Sequence, residues 1–215
     1  MASDPSEASG SEPVRSVEIE LKFDVDDDTP LPDWSGMPGV ASVDDGEVRE
    51  LDARYLDTPE LTLGYAGYAL RRRRGGPDEG WHIKGPRIDG ARVELGWPLG
   101  TDDEDVPEAV RAAVAHVTDA ALGDIARIRN HRTAFALRDA TGALVAEFVD
   151  DHVTAVDVRT GIERAWREWE LELGPAAPAD RPSRVAFFDA AADAVTAAGG
   201  RPAASLSKLG RALGY

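Results

Sequence analysis

Strict alternation of apolar and charged residues marks the first patterned segment of the chain, V-E-I-E-L-K-F at residues 17–23. Side chains of a β-strand point alternately to its two faces, so this pattern predicts a strand with one apolar face and one charged face. The apolar face consists of Val17, Ile19, Leu21 and Phe23. The opposite face carries the charged row Glu18, Glu20 and Lys22.

Further patterned segments, separated by turn residues, follow along the chain. Asp89-Gly90, between two alternating stretches, is a strong hairpin signal. We predict the other strands at residues 47–56, 68–74, 80–85, 91–98, 125–137, 144–149, 153–158 and 163–173. Apolar residues at helical spacing predict helices at about 107–120, 184–198 and 206–212. The acidic, proline-rich segment 24–46 is interpreted as a connection with a short helical turn near Trp34.

The order of these elements is typical of hairpins and not of strand–helix–strand units, which predicts a mostly antiparallel α+β protein. We expect roughly eight strands to close into an antiparallel β-barrel, or tunnel, with flanking helices, because closure removes exposed sheet edges. Residues 14–215 would form a single domain. Residues 1–13, rich in Ser, Glu, Pro and Ala, are expected to be a disordered tail.

The charged strand faces are expected to line the inside of this barrel. The apolar faces need a cover, and helices packed on the outside can supply it. Two parallel carboxylates such as Glu18 and Glu20 gain nothing on a surface, because like charges ~4 Å apart repel by ~4 kcal/mol at an effective dielectric near 20. A divalent cation turns this repulsion into binding energy, since oxygen ligands suit Mg2+ and Mn2+. Carboxylates on one wall and Arg or Lys on the others would fit a chain of phosphates with a bridging metal.

Overall composition narrows the classes of function. The 215 residues contain 24 Lys+Arg and 40 Asp+Glu, for a formal net charge of −16, which disfavours nucleic-acid binding. The absence of cysteine removes disulfides, thiol nucleophiles and thiolate metal sites. No apolar run approaches a membrane span and no signal peptide is evident. We therefore expect a cytoplasmic protein with no membrane partner, either a monomer or a homodimer.

Lysine is scarce in this arginine-rich chain, and its three positions are Lys22, Lys84 and Lys208. An ammonium is a compact point charge with a shiftable pKa, which a planar guanidinium cannot imitate. Chance could account for three surviving lysines, and so could a chemical requirement. The two explanations differ in whether the three side chains meet in one site.

Several motifs bear on this question. The chain contains nine short motifs in a fixed order. They are V-E-I-E-L-K, Y-L-D-T-P at residues 55–59, A-L-R-R-R at 69–73, W-H-I-K-G-P at 81–86, R-V-E, H-R-T-A-F, D-D-H-V, W-E-L-E-L and a late S-K. In this order they resemble the CYTH superfamily, the triphosphate tunnel metalloenzymes, along residues 14–208. The first motif is similar to the family's E-x-E-x-K signature. The resemblance implies a tunnel fold and an enzyme of the inorganic triphosphatase, thiamine triphosphatase or class IV adenylyl cyclase type.

The resemblance also implies a set of site residues. Phosphate binding is expected from Arg71, Arg73, Lys84, Arg92, Arg132 and Lys208. Binding of Mg2+ or Mn2+ is expected from Glu18, Glu20, Asp151, Glu170 and Glu172. Catalytic roles are expected for Lys22, Glu18 and Glu20, with Lys22 polarising the attacked phosphoryl group or orienting water. The alternatives left open are Glu168 as a metal ligand, Asp150 in place of Asp151, and Arg127 and Arg129 beside Arg132.

Other conspicuous residues have a structural interpretation as well. Tyr55 could belong to the core or could contact substrate. Arg72 and Arg74 are assigned to the exterior of the barrel, and Trp81, Trp97 and Trp169 to packing between strands and helices. His82 and His131 are interpreted as strand residues without a ligand role. A P-loop motif is absent. We expect a metal-dependent triphosphatase acting on a triphosphate or polyphosphate; the alternatives are a class IV-type adenylyl cyclase and a non-catalytic polyphosphate- or nucleotide-binding module.

Overall fold

A computed structural model of the chain describes residues 12–100, 105–205 and 207–215. The strands in these ranges are β1 (Val14–Val25), β2 (Ser42–Val43), β3 (Glu47–Asp57), β4 (Ala69–Arg74), β5 (Gly80–Ile88), β6 (Ala91–Trp97), β7 (Gly123–Arg138), β8 (Leu144–Asp157), β9 (Ile162–Leu173) and β10 (Arg201–Pro202). The helices are α1 (Thr62–Tyr65), α2 (Glu108–Val114), α3 (Arg181–Ala198) and α4 (Lys208–Leu213). Most of the expected disordered tail, residues 1–11, lies outside the described residues.

Eight strands close into an antiparallel barrel. The order around it is β1, β6, β5, β4, β3, β7, β8 and β9, and β9 pairs back with β1. Strand β1 pairs with both of its neighbours: residues 14–19 pair with β6, and residues 20–25 pair with β9. The short strands β2 and β10 extend the sheet beside β7 and β1. The predicted α+β class and the eight-stranded barrel with flanking helices are confirmed.

Helices cover the apolar outer face of the barrel. Helix α3 buries Phe187, Ala191 and Val195 in a cluster with Phe148 and Trp169 of the barrel. A second cluster joins α2 to the barrel through Val110, Val114, Leu70, Trp81, Ile83 and Trp97. Because the outer face is apolar and covered by helices, the charged faces of the strands point into the barrel. In the part of the chain that the structure describes, no helix combines the length and apolar character needed to cross a bilayer.

Residues 144–157 form one continuous strand, where the sequence predicts two strands separated at Asp150-Asp151-His152. Each aspartate finds its partner within the sheet. Arg167 donates hydrogen bonds of 2.8 and 2.9 Å to the two oxygens of Asp150, and Trp169 Nε1 donates one of 2.9 Å. On the other face, Arg132 donates two hydrogen bonds of 2.7 Å to Asp151. Because both carboxylates are satisfied, strand β8 continues through them.

Two smaller predictions also differ from the structure, and three short elements have no counterpart among the predictions. The segment near Trp34 contains a hydrogen-bonded turn (Met37 N to Trp34 O, 3.1 Å) and no helix, with the Trp34 ring packed on Phe148. Helix α2 ends at Val114, short of the predicted end at about residue 120, and the β-branched Val117 and Thr118 that follow are weak helix formers. Helix α1, β2 and β10 were not predicted.

The interior of the barrel has an apolar layer and a charged layer. The apolar layer comprises Ala53, Ile128, Val153 and Ala155 from the strands with Leu209 and Ala212 from α4. Helix α4 thus fills one part of the interior. Its first residue, Lys208, reaches from this plug into the charged layer.

Candidate functional site

The charged layer surrounds a cavity of about 200 Å³ inside the barrel. Charged side chains of both signs line it, although the whole protein has a formal charge of −16. The lining cations are Lys22, Arg49, Arg71, Arg73, Lys84, Arg92, Arg132 and Lys208. The lining carboxylates are Glu18, Glu20, Asp78, Glu147, Glu170 and Glu172. All three lysines of the chain meet in this cavity.

Charge is distributed unevenly around the barrel wall. Inward-facing glutamates lie on β8, β9, β1 and β6, which are four consecutive strands. Inward-facing Arg and Lys residues lie on β5, β4, β3 and β7, the other four. Lys22, Arg92 and Lys208 add positive charge within the acidic half. The two halves face each other across the cavity, an arrangement suited to a polyanion together with a cation.

Glu18 and Glu20 lie in the acidic half, and each is paired with a cation. Lys84 Nζ is 2.6 Å from both Glu18 oxygens, and Arg87 Nη2 is 2.6 Å from Glu20 Oε1. Burial, reinforced by the hydrogen bond with Glu94, raises the pKa of Glu18 to about 7. A cation beside this carboxyl would favour its ionised form. The donor chemistry of Glu18 and Glu20 therefore fits a hard divalent metal ion.

Deeper in the barrel, oxygens of Asp151, Glu168 and Glu170 lie within 4.8 Å of one another. Lys208 Nζ contacts all three carboxylates, at 2.9 Å from Asp151 and 2.7 Å from Glu170, with Glu168 also in direct contact. Arg132 adds a second cation beside Asp151. In this structure the positive charge among the three carboxylates is therefore supplied by an ammonium and a guanidinium.

The structure also shows how the alternative acidic residues are oriented. Asp151 is fully buried among the interior charges, whereas Asp150 pairs with Arg167 on the opposite face of β8. Glu170 and Glu172 line the cavity. Glu168 lies beside them, and its carboxylate accepts a short hydrogen bond from Trp166 Nε1.

Arg71, Arg73 and Tyr55 lie on the basic half of the barrel wall, across the cavity from the acidic half. The Nε atoms of Arg71 and Arg73 are buried and have no hydrogen-bond partner within the described structure. Burial, together with the charges of Arg71 and Arg132, lowers the pKa of Arg73. Burial raises the pKa of Tyr55, but the charge and hydrogen bond of Arg71 outweigh burial and lower it overall. Unsatisfied donors and crowded positive charge on this wall fit an anionic ligand.

Three charged lining residues, Arg49, Glu147 and Asp78, were not among the predicted site residues. Arg49 donates hydrogen bonds of 3.2 Å to each oxygen of Glu147. Arg49 shares strand parity with Tyr55, a signal that could have identified it. Asp78, which contacts Arg73, comes from the loop between β4 and β5, where no periodicity indicates side-chain direction.

Several other candidates lie outside the cavity. Arg127 and Arg129 both pair with Asp52 on the outer face. Arg72 faces outward as expected, but it is buried, with its guanidinium 6.0 Å from the centre of the Trp81 ring. His131 is exposed and contacts Glu50.

His82 faces the interior. Its Nδ1 is 2.6 Å from Glu94 Oε1, and its Nε2 is 2.8 Å from the backbone oxygen of Asp78. His82 therefore helps to hold Glu94 and the β4–β5 loop beside the cavity.

A closed antiparallel barrel with opposed acidic and basic walls around an internal cavity defines a tunnel-type barrel protein. A family model described as the CYTH domain matches residues 16–183. The chain belongs to the CYTH domain family, which confirms the resemblance seen in the sequence.

Similar proteins agree with this assignment. Proteins from two strains of Mycobacterium tuberculosis, both uncharacterized, are 38% identical over 213 residues, covering 94% of this chain and 41% of each relative. The chain thus spans about two-fifths of the length of these curated relatives. A proposed adenylate cyclase from Bacillus halodurans shares the fold with a TM-score of 0.61 and 16% identity, over 92% of this chain and 97% of that one. A Pyrococcus horikoshii protein shares it with a TM-score of 0.54 and 15% identity, over 91% and 98%.

Proposed function

We propose that the protein catalyses metal-dependent hydrolysis of a triphosphate-containing substrate inside the barrel cavity. The convergence of eight cationic side chains on one internal cavity, in a protein of formal net charge −16, is the observation that carries this proposal. Consecutive phosphoryl groups are a concentrated anion, and guanidinium and ammonium groups are their usual protein partners. Membership of the CYTH family supports the same substrate class.

The basic wall is proposed to bind the phosphates. The residues proposed for this role are Arg71, Arg73, Lys84 and Arg132 of that wall, with Arg92 and Lys208 from the acidic half. Arg71 and Arg73 offer buried Nε donors that need an acceptor. Lys84 now neutralises Glu18, so a phosphate oxygen would take over its ammonium and release the carboxylate for a metal ion.

The acidic wall is proposed to hold Mg2+ or Mn2+. The ligands would come from Glu18, Glu20, Asp151, Glu170 and Glu172, with Glu168 as an alternative. When bound, the ion would neutralise phosphate oxygens and make phosphorus more electrophilic.

Lys22 lies within the acidic half of the wall, with Nζ 3.0 Å from Glu20 and in direct contact with Glu170. From that position it would polarise the attacked phosphoryl group or orient the attacking water. Water attacks the terminal phosphorus in line, the bond from phosphorus to the bridging oxygen breaks, and orthophosphate and the shortened phosphate chain leave. The proton lost by water passes to solvent or to a neighbouring carboxylate.

The test is a substrate panel of tripolyphosphate, thiamine triphosphate, ATP and long-chain polyphosphate with Mg2+ or Mn2+. We expect phosphate release by the wild-type protein and a loss of at least about a hundredfold in the double variant Glu18→Gln/Glu20→Gln. Asp52→Asn, on the outer face, is the matched control and should retain activity. Phosphate release that never exceeds the level of the double variant would exclude hydrolysis.

A second candidate is an adenylyl cyclase of the class IV type. The observation in its favour is the fold shared with the proposed adenylate cyclase from Bacillus halodurans. Cyclic AMP and pyrophosphate from ATP, in place of orthophosphate, would identify it. Tight binding of tripolyphosphate in calorimetry without any turnover would instead identify a non-catalytic binding module.

A further inference from the structure

Cations of the protein itself contact the two carboxylates at the start of the acidic wall, Glu18 and Glu20. Lys84 Nζ lies 2.6 Å from both oxygens of Glu18. Lys22 Nζ lies 3.0 Å from Glu20 Oε2, and Arg87 Nη2 lies 2.6 Å from Glu20 Oε1. An arriving metal ion would meet positive charge at every one of these oxygens, so its binding favours the release of one of the three cations.

Arg87 is the least firmly held of the three cations. Its side chain is 26% exposed, against 19% for Lys84 and 11% for Lys22. Each lysine also contacts a second carboxylate, which is Glu170 for Lys22 and Glu94 for Lys84. Within the described ranges of the chain, Arg87 contacts a single carboxylate. Release of Arg87 would therefore break one partly exposed ion pair, whereas release of either lysine would break two.

A β-bulge in β5 turns Arg87 toward the acidic wall. The register of β5 and β6 pairs Lys84 with Glu94. It then pairs Arg87 with Arg92, so three steps along β5 match two along β6. Arg92 Nε donates a hydrogen bond of 2.6 Å to the backbone oxygen of Gly85, within the bulge. Without the extra residue, Arg87 would have the parity opposite to Lys84 and would face outward.

The bulge also places Arg87 next to a like charge. Residues directly opposite each other on neighbouring strands share one face of the sheet, and like charges at such positions repel. Burial, together with the charge of Arg87, lowers the pKa of Arg92. Glu20 supplies the negative charge that offsets this repulsion. When a metal ion neutralises Glu20, Arg87 loses this attraction and keeps the repulsion from Arg92.

We propose that Arg87 is a displaceable counter-ion of the metal site: it pairs with Glu20 until a divalent cation binds and then leaves that carboxylate. The inference rests on the proposed function for the role of Glu20 as a metal ligand. The released guanidinium lies between Arg92 and solvent, where it can pair with an oxygen of an entering phosphate. Arg87 is thus a positioning residue that regulates metal binding.

The test is calorimetry of Mn2+ binding, without substrate, to wild type, Arg87→Gln, Arg87→Lys and Arg54→Gln. Arg87→Gln removes the competing cation and should bind Mn2+ about three- to fivefold more tightly, the effect expected from a partly exposed ion pair. Arg87→Lys keeps the charge and should stay within about twofold of wild type. Arg54→Gln, which removes the same charge from a 3.6 Å ion pair with Asp124, is the matched control and should also stay near wild type.

A second measurement follows Arg87 directly in the wild-type protein. The Nε–H resonances of the arginines are recorded by NMR during a titration with Mg2+, which is diamagnetic. We expect the Arg87 resonance to shift and its proton exchange with water to accelerate at least about fivefold, because the ion pair that protects the guanidinium is lost. The Arg54 resonance should not change.

The outcomes separate this inference from the proposed function. Equal or weaker Mn2+ binding by Arg87→Gln, equal gains in Arg87→Gln and Arg54→Gln, or an Arg87 resonance unchanged by saturating Mg2+ would overturn the inference and leave hydrolysis intact. If neither wild type nor Arg87→Gln binds Mn2+, the inference is overturned together with the proposed metal site. Tighter Mn2+ binding by Arg87→Gln, without phosphate release from any triphosphate, would support the counter-ion role and contradict hydrolysis.

Discussion

Lysine and arginine occupy different places in this protein. All three lysines line the charged cavity, whereas arginines lie on both faces of the barrel. Burial lowers the pKa of Lys208, but the charges of Asp151 and Glu170 outweigh burial and raise it well above its usual value. The ammonium is therefore fully charged inside the barrel. A compact point charge fits among three carboxylates where a planar guanidinium would not.

Glu18 should make metal binding depend on pH. Its pKa is raised to about 7, so below that pH the carboxyl is protonated and an arriving cation must displace the proton. We expect the affinity for Mn2+, measured by calorimetry, to fall about tenfold between pH 8 and pH 6. Glu18→Gln should bind more weakly and show a flatter dependence over this range. An equal pH dependence of Mn2+ affinity in both proteins would contradict the proposed role of Glu18 as a metal ligand.

Asp151 should be among the residues most important for stability. It is fully buried and faces two cations, so Asp151→Asn leaves positive charge uncompensated in the interior. We expect urea denaturation to show a loss of roughly 3–5 kcal/mol in the free energy of unfolding. The matched control Asp52→Asn, which breaks partly exposed pairs with Arg127 and Arg129, should lose less than about 1 kcal/mol. Equal losses in the two variants would contradict the buried role of Asp151.

Helix α4 is too short to be stable by itself, and tertiary contacts must hold it in place. Ser207 caps its start by accepting a hydrogen bond of 3.2 Å from Gly210 N–H. Leu209 and Ala212 pack in the apolar layer of the barrel, and Lys208 anchors the helix to interior carboxylates. The helix thus links the charged cavity to the neighbouring apolar one, since residues of the segment 207–209 line both.

Lys208→Met should therefore loosen α4 selectively. The variant removes the charged anchor and leaves three carboxylates close together without their ammonium. We expect amide hydrogen exchange in α4 to accelerate at least about tenfold, with a smaller change in the outer helix α3. Lys22→Met, which removes another buried ammonium of the cavity but one that pairs with Glu20 and Glu170, neither of which belongs to α4, is the matched control. Unchanged exchange in α4 would show that apolar packing alone holds the helix.

At the scale of the whole molecule, the protein has two kinds of buried environment, one apolar and one charged. The outer face and one internal layer are apolar and supply hydrophobic stabilisation. The charged layer is an interior of paired ions, which contributes much less to stability than apolar packing would. Retaining such a layer lowers stability relative to an apolar core, a cost that the proposed function would explain.

Bound metal should raise the melting temperature of the whole barrel. A ligand that binds only the folded state at a hundred times its Kd adds about 2.7 kcal/mol, which for a domain of this size is a rise of about 5–10 °C. We expect this shift with millimolar Mn2+ and its loss in Glu18→Gln/Glu20→Gln. Na+ at matched ionic strength controls for screening of the surface charge. Equal shifts in both proteins would place the binding elsewhere.

Strand faces could be predicted because parity along a strand depends only on local geometry. Glu18, Glu20, Arg71, Arg73 and Lys84 all line the cavity that the alternation predicts. Continuous β8 was missed, because Asp150 and Asp151 are compatible with a strand only when distant cations satisfy them. Asp78 was missed for a related reason: a loop has no periodicity from which a direction can be read.

The sequence by itself determined the barrel class, the inward direction of the charged rows and the CYTH resemblance, since alternation and motif order are properties of the linear chain. Only the tertiary structure decided which charges pair, because Lys208 meets Asp151 and Glu170 from a helix far along the chain. It also decided that an apolar recess adjoins the charged cavity. The two cavities adjoin because α1 and α4 pack at the barrel. Packing between segments far apart in the chain leaves no local pattern in the sequence.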